Sequence, residues 1–553
     1  MRPTMGRPNS NDHKPLASIS RRTGEINSSS STARQPHRAF ARIAARFVCL
    51  VVAASAAACA LGPDYEPPPA PVPYDFRELP GWKIARPSDG IDRGDWWTIY
   101  NDPTLDSLER QVEVSNQNIA AAEAAYRQSV ALVRQARSEL FPAIGLRYSP
   151  NRWHEGGGAS EAAGDSVPNS ITKTTVTLDT LAKWDIDVWG RIRRTIESNV
   201  ANAQASAADL ANATLLAQTQ LALAYFNLRA ADSLQRLLDS TVRAYKRTLT
   251  ITQARFDRGV VSRYDVIAAK TQVRTAEAQA INVGIQRAQF EHAIAVLIGV
   301  PPSEFSITPD PLVDDVPYVP PTLPSALLER RPDIAAAERR IAGQNALIGV
   351  AVAAYFPDIS LSGFGGGVLP NAVYGFVGTS AFPIAVANEV WSVGVAAVQT
   401  IIDGGLRKEQ VAAALAAYYQ RVAIYRQTVL TAFQQVEDEL SRQRILADQQ
   451  QVQDDAVRLS RESLDIALTE YEAGTVDITA IVQAQEILLA NEQAALATLQ
   501  SRFISSVSLI QALGGGWDAS LLPGWDELTH WRSCVNVHEV MRGHISPELP
   551  PCL

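Results

Sequence analysis

TKTTVTLDTLAKWDIDV, residues 172–188, alternates strictly along most of its length. One parity carries Val176, Leu178, Ala182, Trp184, Ile186 and Val188; the other carries Lys173, Thr175, Thr177, Asp179, Lys183, Asp185 and Asp187. Successive side chains of a strand point to opposite faces, so this spacing predicts a strand with an apolar face and a hydrophilic one. Three other stretches repeat the pattern. After Phe141-Pro142, Ile144, Leu146 and Tyr148 oppose Gly145, Arg147 and Ser149; later, Ile359 and Leu361 oppose Asp358, Ser360 and Ser362. Trp391, Val393, Val395, Ala397 and Ile401 form the last apolar parity. The Gly- and Ser-rich segments 154–170 and 363–388 are read as the connecting loops.

Immediately beyond Gly190 the period changes. Segments 191–258 and 406–473, equal in length, contain no Gly or Pro and are rich in Ala, Leu, Gln, Arg and Glu, all good helix formers. At 1.5 Å per residue, such a helix is roughly 100 Å long. Each ends at a glycine, Gly259 or Gly474, and a second helix (263–298, 478–513) returns, making two long helical hairpins. Abundant alanine permits close packing of helix on helix. The two hairpins belong to one duplicated unit. Ile119–Glu123 recurs as Ile334–Glu338, Phe141-Pro142 as Phe356-Pro357, Gly190 as Gly405, Phe256–Gly259 as Tyr471–Gly474, and Gly299 as Gly514, always at the offset that separates 119 from 334.

Length and composition alone suggest something else. The 553 residues would ordinarily make three or four globular domains. Fifty Lys and Arg against 58 Asp and Glu leave a net charge of −8, which disfavours nucleic-acid binding, and four cysteines exclude a disulfide-rich scaffold. No uncharged apolar run reaches the ~18–20 residues of a spanning helix. Four strands could form a half-buried sheet in a soluble domain. Strands of this length, with one face rich in charge, fit an outer-membrane barrel instead, apolar outside and polar within. Four strands cannot close on themselves, and an open edge in lipid leaves backbone groups unpaired. Several copies must then share one barrel; two, three or four are physically admissible.

The N-terminus reads as an export address. Residues 1–40 are polar and rich in Ser, Arg and Pro; Arg42 and Arg46 then precede the uncharged run Phe47–Leu61. A basic flank, a short apolar core and small residues describe a secretory signal. Ala56-Ala57-Ala58-Cys59 has the form of a lipobox with Cys59 as the first mature, lipidated residue, although Ala56 stands where Leu is commoner. The Pro-rich stretch Gly62–Pro73 reads as an extended tether.

These residues resemble the TolC/OprM outer-membrane factor family, in the lipoprotein (NodT-type) branch that serves resistance–nodulation–division efflux systems. The likeness rests on Cys59–Tyr65, Trp96-Trp97, Tyr100–Asp106, Leu328–Ile334 with Ala337-Glu338, Asp403–Gly405 and Leu513–Trp517. It implies a mixed α and β membrane protein, a homotrimer. Four strands per chain would build a 12-stranded β-barrel in the outer membrane, continuing into a long periplasmic α-helical coiled-coil barrel. It further implies a periplasmic membrane-fusion adaptor protein and an inner-membrane RND transporter as partners, and a passive conduit exporting small molecules. Adaptor docking then falls on the hairpin tips, Gly259, Val260, Val261 and Ser262, and Gly474, Thr475 and Val476. Asp477, repeated by trimerisation, is the candidate for an acidic ring at the periplasmic aperture. The expected divisions are 1–58 (extension and signal), 59–100 (lipid-anchored segment), 101–300 (first repeat), 301–331 (equatorial linker), 332–516 (second repeat) and 517–553 (tail). Pro332 and Asp333 suit the first turn of a helix, so Leu328–Ile334 is read as structural.

Enzyme readings lack support: the sequence has no phosphate-binding Gly-rich loop with its Lys and no nucleophile elbow. His530, Cys534 and His538 stand at helical spacing, with His544 and Cys552 beyond, yet a poorly ordered tail or a Cys534–Cys552 disulfide is favoured over a metal site. No metal and no cofactor is expected. The alternatives to small-molecule efflux are a TolC-like conduit for type I protein secretion and a periplasmic coiled coil without a pore.

Overall fold

In the computed structural model the described residues are 60–73, 76–78, 95–155, 171–319, 327–369, 388–530 and 541. Cys59 lies just outside them, as do Cys534, His538, His544 and Cys552. Apart from the single helical turn Leu327–Arg330 and short 3₁₀ turns, the described residues form α1 (Pro103–Ser115), α2 (Gln117–Ser138), β1 (Ala143–Glu155), β2 (Ile171–Asp185), α3 (Arg191–Asp257), α4 (Arg263–Leu297), α5 (Pro332–Ala353), β3 (Asp358–Leu369), β4 (Asn388–Val398), α6 (Leu406–Ala473), α7 (Ile478–Leu513) and α8 (Trp525–Thr529). The starts of α2 and α5, β1 and β3, α3 and α6, and α4 and α7 are all separated by the offset of the sequence repeat, so the duplication is built into the architecture.

The strands form one antiparallel sheet in the order β1-β2-β3-β4. Its register brings Ile144, Ala182, Gly363 and Val393 into one row and Leu146, Thr180, Gly365 and Trp391 into the next, all on one face. Ile144, Leu146, Tyr148, Trp391, Val393 and Val395 are exposed on it. Several expectations need correction: β2 ends at Asp185, short of Ile186 and Val188, and β1 runs to Glu155, into the segment read as loop from 154. Residues 363–369, read as loop because of their glycines, continue β3 to Leu369, paired with both β2 and β4. The ladder supplies the hydrogen bonds that a glycine's weak strand preference does not. Ile401 lies beyond the end of β4 at Val398. The hydrophilic parity is also less uniform than read, since Leu181 pairs with Phe364 on that face.

Both long helices begin where strands end, and an aspartate starts each one. Asp187 accepts from the amides of Ile192 and Arg193 (3.0 and 2.9 Å). Asp403 accepts from the amides of Gly405 and Arg407 (2.9 and 3.4 Å), and these hold its carboxyl below the usual range. Gly190 and Gly405 take the left-handed backbone at the two N-caps, a conformation glycine adopts without penalty. On α5, Pro332 occupies the first helical position. The preceding Arg331 is buried, donating to the Ala512 carbonyl and the Gln435 side chain (both 2.9 Å) and pairing with Asp333 at 2.7 Å.

The Pro-rich segment after Cys59 is docked, not a free tether. Gly62 meets Gly349 of α5 so closely that a Cβ on Gly62 would lie 2.5 Å from the Gly349 Cα. Asn345 donates to the Pro63 carbonyl (2.9 Å), Tyr65 donates to Glu338, and Arg194 of α3 grips the Leu61 carbonyl (3.0 Å) and Asp64 (2.9 Å). Farther on, Glu437 of α6 accepts from the amides of Arg77 and Glu78. The tail is likewise ordered as far as it is described. Leu528 is buried among Val130, Val133, Ile192, Ile196 and Val200, and Arg137 donates to the Thr529 carbonyl.

The largest core joins α1 to both hairpins, around Trp96, Trp97, Leu105, Leu108, Tyr225, Phe226, Phe433 and Phe503. One residue there is out of character. Leu105, Leu108, Glu109 and Val112 form the buried stripe of α1, so a carboxyl stands at an apolar position of an i, i+3, i+4, i+7 pattern. Glu109 is fully buried, and neither of its oxygens has a partner among the described residues. Burial, reinforced by the charge of Glu113, pushes its carboxyl up to about 9. The native state then binds this proton more tightly than the unfolded chain does. The stability it contributes is fully present below about pH 4.5 and is lost progressively as pH rises toward 9, ~3 kcal/mol by pH 7. Glu109→Leu should therefore raise the thermal midpoint of the purified protein at pH 8 and flatten its dependence between pH 5 and 9. An unchanged pH slope in that variant would contradict this account.

Candidate functional site

The far ends of the hairpins are built from two non-identical turns. In the first, Gly259 adopts φ +73, its amide donates to Phe256 O (2.8 Å) and that of Val260 to Arg255 O (2.9 Å). Ser262 then opens α4 with a reciprocal cap: its Oγ accepts from the Asp265 amide, and the Asp265 carboxylate accepts from the Ser262 amide (2.8 Å). In the second, Gly474 has φ +82, and the Thr475 amide and hydroxyl both donate to Glu470 O (3.0 and 2.9 Å). Asp477 caps α7, its Oδ1 accepting from the amides of Thr479 and Ala480 (3.0 and 3.3 Å). Gly259, Val260, Ser262, Gly474, Thr475 and Asp477 are exposed; Val261 and Val476 are half-buried.

The two turns lie against each other within one chain. Arg255 of α3 crosses to the second hairpin, where its guanidinium sits 4.3 Å from the Tyr471 ring centre and donates to the Tyr471 carbonyl. Tyr471 is buried, with Thr252 Oγ1 3.4 Å from its hydroxyl. Ile251 and Val476 complete the cluster with Ile478 and Ile481. Behind this contact, Gln485 donates to Thr248 Oγ1 (2.9 Å) and Tyr245 donates to the Gln485 carbonyl (3.2 Å), extending the seam between α3 and α7.

Both turns are evident in the sequence, but the clasp that joins them is not. Arg255 stands one residue before the repeated Phe256–Gly259 motif, and its counterpart in the second copy is Glu470, so nothing in the repeat marks it. The capping role of Asp477 is legible, because an Asp directly before an apolar helical run is an N-cap signature. Among the described residues, no three or more His, Cys, Asp or Glu side chains come together as a metal site, and no helix is long and apolar enough to cross a membrane. A charge-assisted bond to a carbonyl and a cation–π contact on one residue make Arg255 the main strut of the seam. Arg255→Ala should speed amide exchange across Thr475–Ala480 by at least about tenfold while leaving the strands unaffected. Equal exchange in both proteins would remove the clasp from the tip's stability.

The model of the family described as outer membrane efflux protein matches residues 108–300 and 323–515, one match on each repeat. The toluene efflux pump outer membrane protein TtgC of Pseudomonas putida is 28% identical over 465 residues, covering 83% of this chain and 93% of that protein. The outer membrane protein OprJ of Pseudomonas aeruginosa is 28% identical over 474 residues, 85% and 95% of the two chains. Among solved structures, the outer-membrane channel OprN superposes with a TM-score of 0.72 at 29% identity, over 83% of this chain and all of the other. The CmeC channel of Campylobacter jejuni has the same fold (TM-score 0.72, 21% identity, 84% and 96% coverage). A sheet of alternating strands, paired long hairpins and a twofold family match place this chain in the outer membrane efflux protein family.

Proposed function

We propose that three copies of this chain close a twelve-stranded barrel in the outer membrane and continue it as a twelve-helix periplasmic tunnel, the passive exit duct of a tripartite efflux pump for small molecules. The observation that carries this reading is an asymmetry between equivalent helices. Twenty-eight residues of α3 are buried, against nine of α6, although the two helices are copies. Leu215 of α3 is 7% exposed; its counterpart Leu430 is 48% exposed. Ile445, Val452, Leu459 and Ile466 form a strict heptad stripe on α6, each more than half exposed. Such a stripe, one apolar residue every seven, calls for a partner helix. Its counterpart on α3 includes Ile251, which packs against α7 within the chain. By the same geometry, α6 packs against α4 of the next copy, where Ile267 occupies the position equivalent to Val482.

The sheet makes the same demand. Its outer edges, on β1 and β4, have no partner strand among the described residues, and lipid tolerates no open edge. Two copies would give eight strands, a barrel filled by its own side chains; three give twelve and leave a passage. The lipid anchor at Cys59 fits this arrangement. Cys59 itself lies outside the described residues, but the Leu61 amide donates to the Trp189 carbonyl (3.2 Å) at the junction of strands and helices. The indoles of Trp184 and Trp189 donate there to the carbonyls of Leu140 and Pro357 (both 2.9 Å), as interfacial tryptophans do. The exposed tips offer the adaptor its docking surface, and the pump that feeds the duct is an inner-membrane RND transporter.

Channel recording tests the reading. The reconstituted protein should conduct as a trimer, and Leu459→Arg, which puts a charge into the seam, should abolish both trimer and conductance. Correctly trimerised protein without conductance would overturn the conduit. For the aperture, Asp477→Asn keeps the helix cap and removes only the charge. It should weaken the preference for cations; an unaltered preference would exclude Asp477 from the gate.

A further inference from the structure

Two ion pairs lie on the hydrophilic face of the sheet. Arg147 of β1 reaches over to Asp179 of β2, with Nη2 and Nε 2.7 and 3.1 Å from Oδ2. Lys183 and Asp185, on the same parity of β2, are 3.3 Å apart. The Arg147–Asp179 pair is seated unevenly: the Asp179 side chain is 5% exposed and that of Arg147 55%. The reason is in β3. Gly366 pairs with Asp179, and a Cβ there would fall 2.5 Å from Asp179 Oδ1 and 2.9 Å from the Leu178 carbonyl. The missing side chain leaves a recess in which the carboxylate lies flat against the sheet. Any larger residue at 366 would drive it off the wall. The run of Gly365, Gly366 and Gly367, which reads as loop, thus has a definite use in the middle of a strand.

We infer that the Arg147–Asp179 pair, seated in the recess at Gly366, cancels the fixed charge of the duct wall at mid-barrel, so that this section passes solutes of either sign. The inference rests on the barrel reading, which puts this face around the lumen. It makes both residues determinants of charge selectivity in the membrane section, separate from the tips. A solute inside meets a guanidinium whose charge is compensated at contact distance by a carboxylate folded behind it. Deleting either partner leaves the other's full charge facing the lumen, where a water-filled but narrow bore weakens screening.

A local probe of potential reads this without depending on the narrowest part of the duct. Ser149 lies two residues from Arg147 on the same parity. In the reconstituted Ser149→Cys protein, an anionic and a cationic methanethiosulfonate reagent are compared by their rates of modification. The parent without this substitution supplies the background from its own cysteines. The two rates should be similar when the pair is intact. Adding Asp179→Asn should raise the anionic-to-cationic ratio about fivefold, and Arg147→Gln should lower it by a similar factor. The double variant Arg147→Gln with Asp179→Asn, which removes both charges, should restore a ratio near that of the intact pair and controls for a damaged sheet. A ratio unchanged by both single substitutions overturns the inference while leaving the barrel intact. Failure of the introduced thiol to react with either water-soluble reagent overturns the barrel reading itself.

Discussion

Backbone groups inside a hydrocarbon layer must pair within protein, and four strands cannot pair all of theirs. The rest of the molecule is arranged around that shortage. The sheet β1-β2-β3-β4 is continuous, with an apolar face of exposed Ile144, Leu146, Trp391, Val393 and Val395 and an unfinished edge at each end. An exposed apolar face of this size is a liability in water and an asset in lipid. In the proposed assembly, closure by identical copies satisfies the edges and at once defines an inside, where the Arg147–Asp179 pair lies.

The helices show a similar incompleteness. Duplication gave the chain two hairpins of nearly equal length, and the first is packed by the second. The second is the more exposed of the two, with Ile445, Val452, Leu459 and Ile466 each more than half exposed, whereas of their counterparts Ala230 is buried and Leu237 and Ile251 are half-buried. In the proposed ring, one kind of joint lies inside each chain and its counterpart between chains. The inner joint is reinforced at the tip by Arg255 on Tyr471. By the repeat, the proposed joint between chains would set Glu470 against Phe256, a pair that cannot form this clasp. In that assembly the two joints are chemically unequal at the hairpin tips.

Much of this is legible in the residues. Period 2 in Thr172–Val188, two long stretches without Gly or Pro, and five motif pairs at one offset specify strands, hairpins and duplication without any structure. What escapes has physical causes. Gly363–Gly367 looks like a loop because glycine's backbone freedom is a local property, whereas strand pairing with Ala182, Asp179 and Val393 is not. Arg255 escapes because its partner lies far away in sequence, on the other hairpin. Glu109 breaks the apolar pattern of α1 too quietly to stand out in a chain with 58 acidic residues. The docking of residues 60–65 on α5 depends on Gly349, whose lack of a side chain matters only once Gly62 is beside it. Turn positions are found readily, since a glycine ending a helix announces itself, but the residues holding one turn against the other are not.

The central claim is that the joint between chains copies the joint within a chain. Cysteine pairing measures it directly, with Ile466→Cys and Ile267→Cys introduced together into the protein in its membrane. Ile466 and Ile267 are the repeat counterparts of Ile251 and Val482, which share a cluster inside the chain. Mild oxidation should yield covalent dimers and trimers on a denaturing gel, absent from either single variant. A double variant that stays monomeric after oxidation, while the protein remains folded in the outer membrane, would contradict the account.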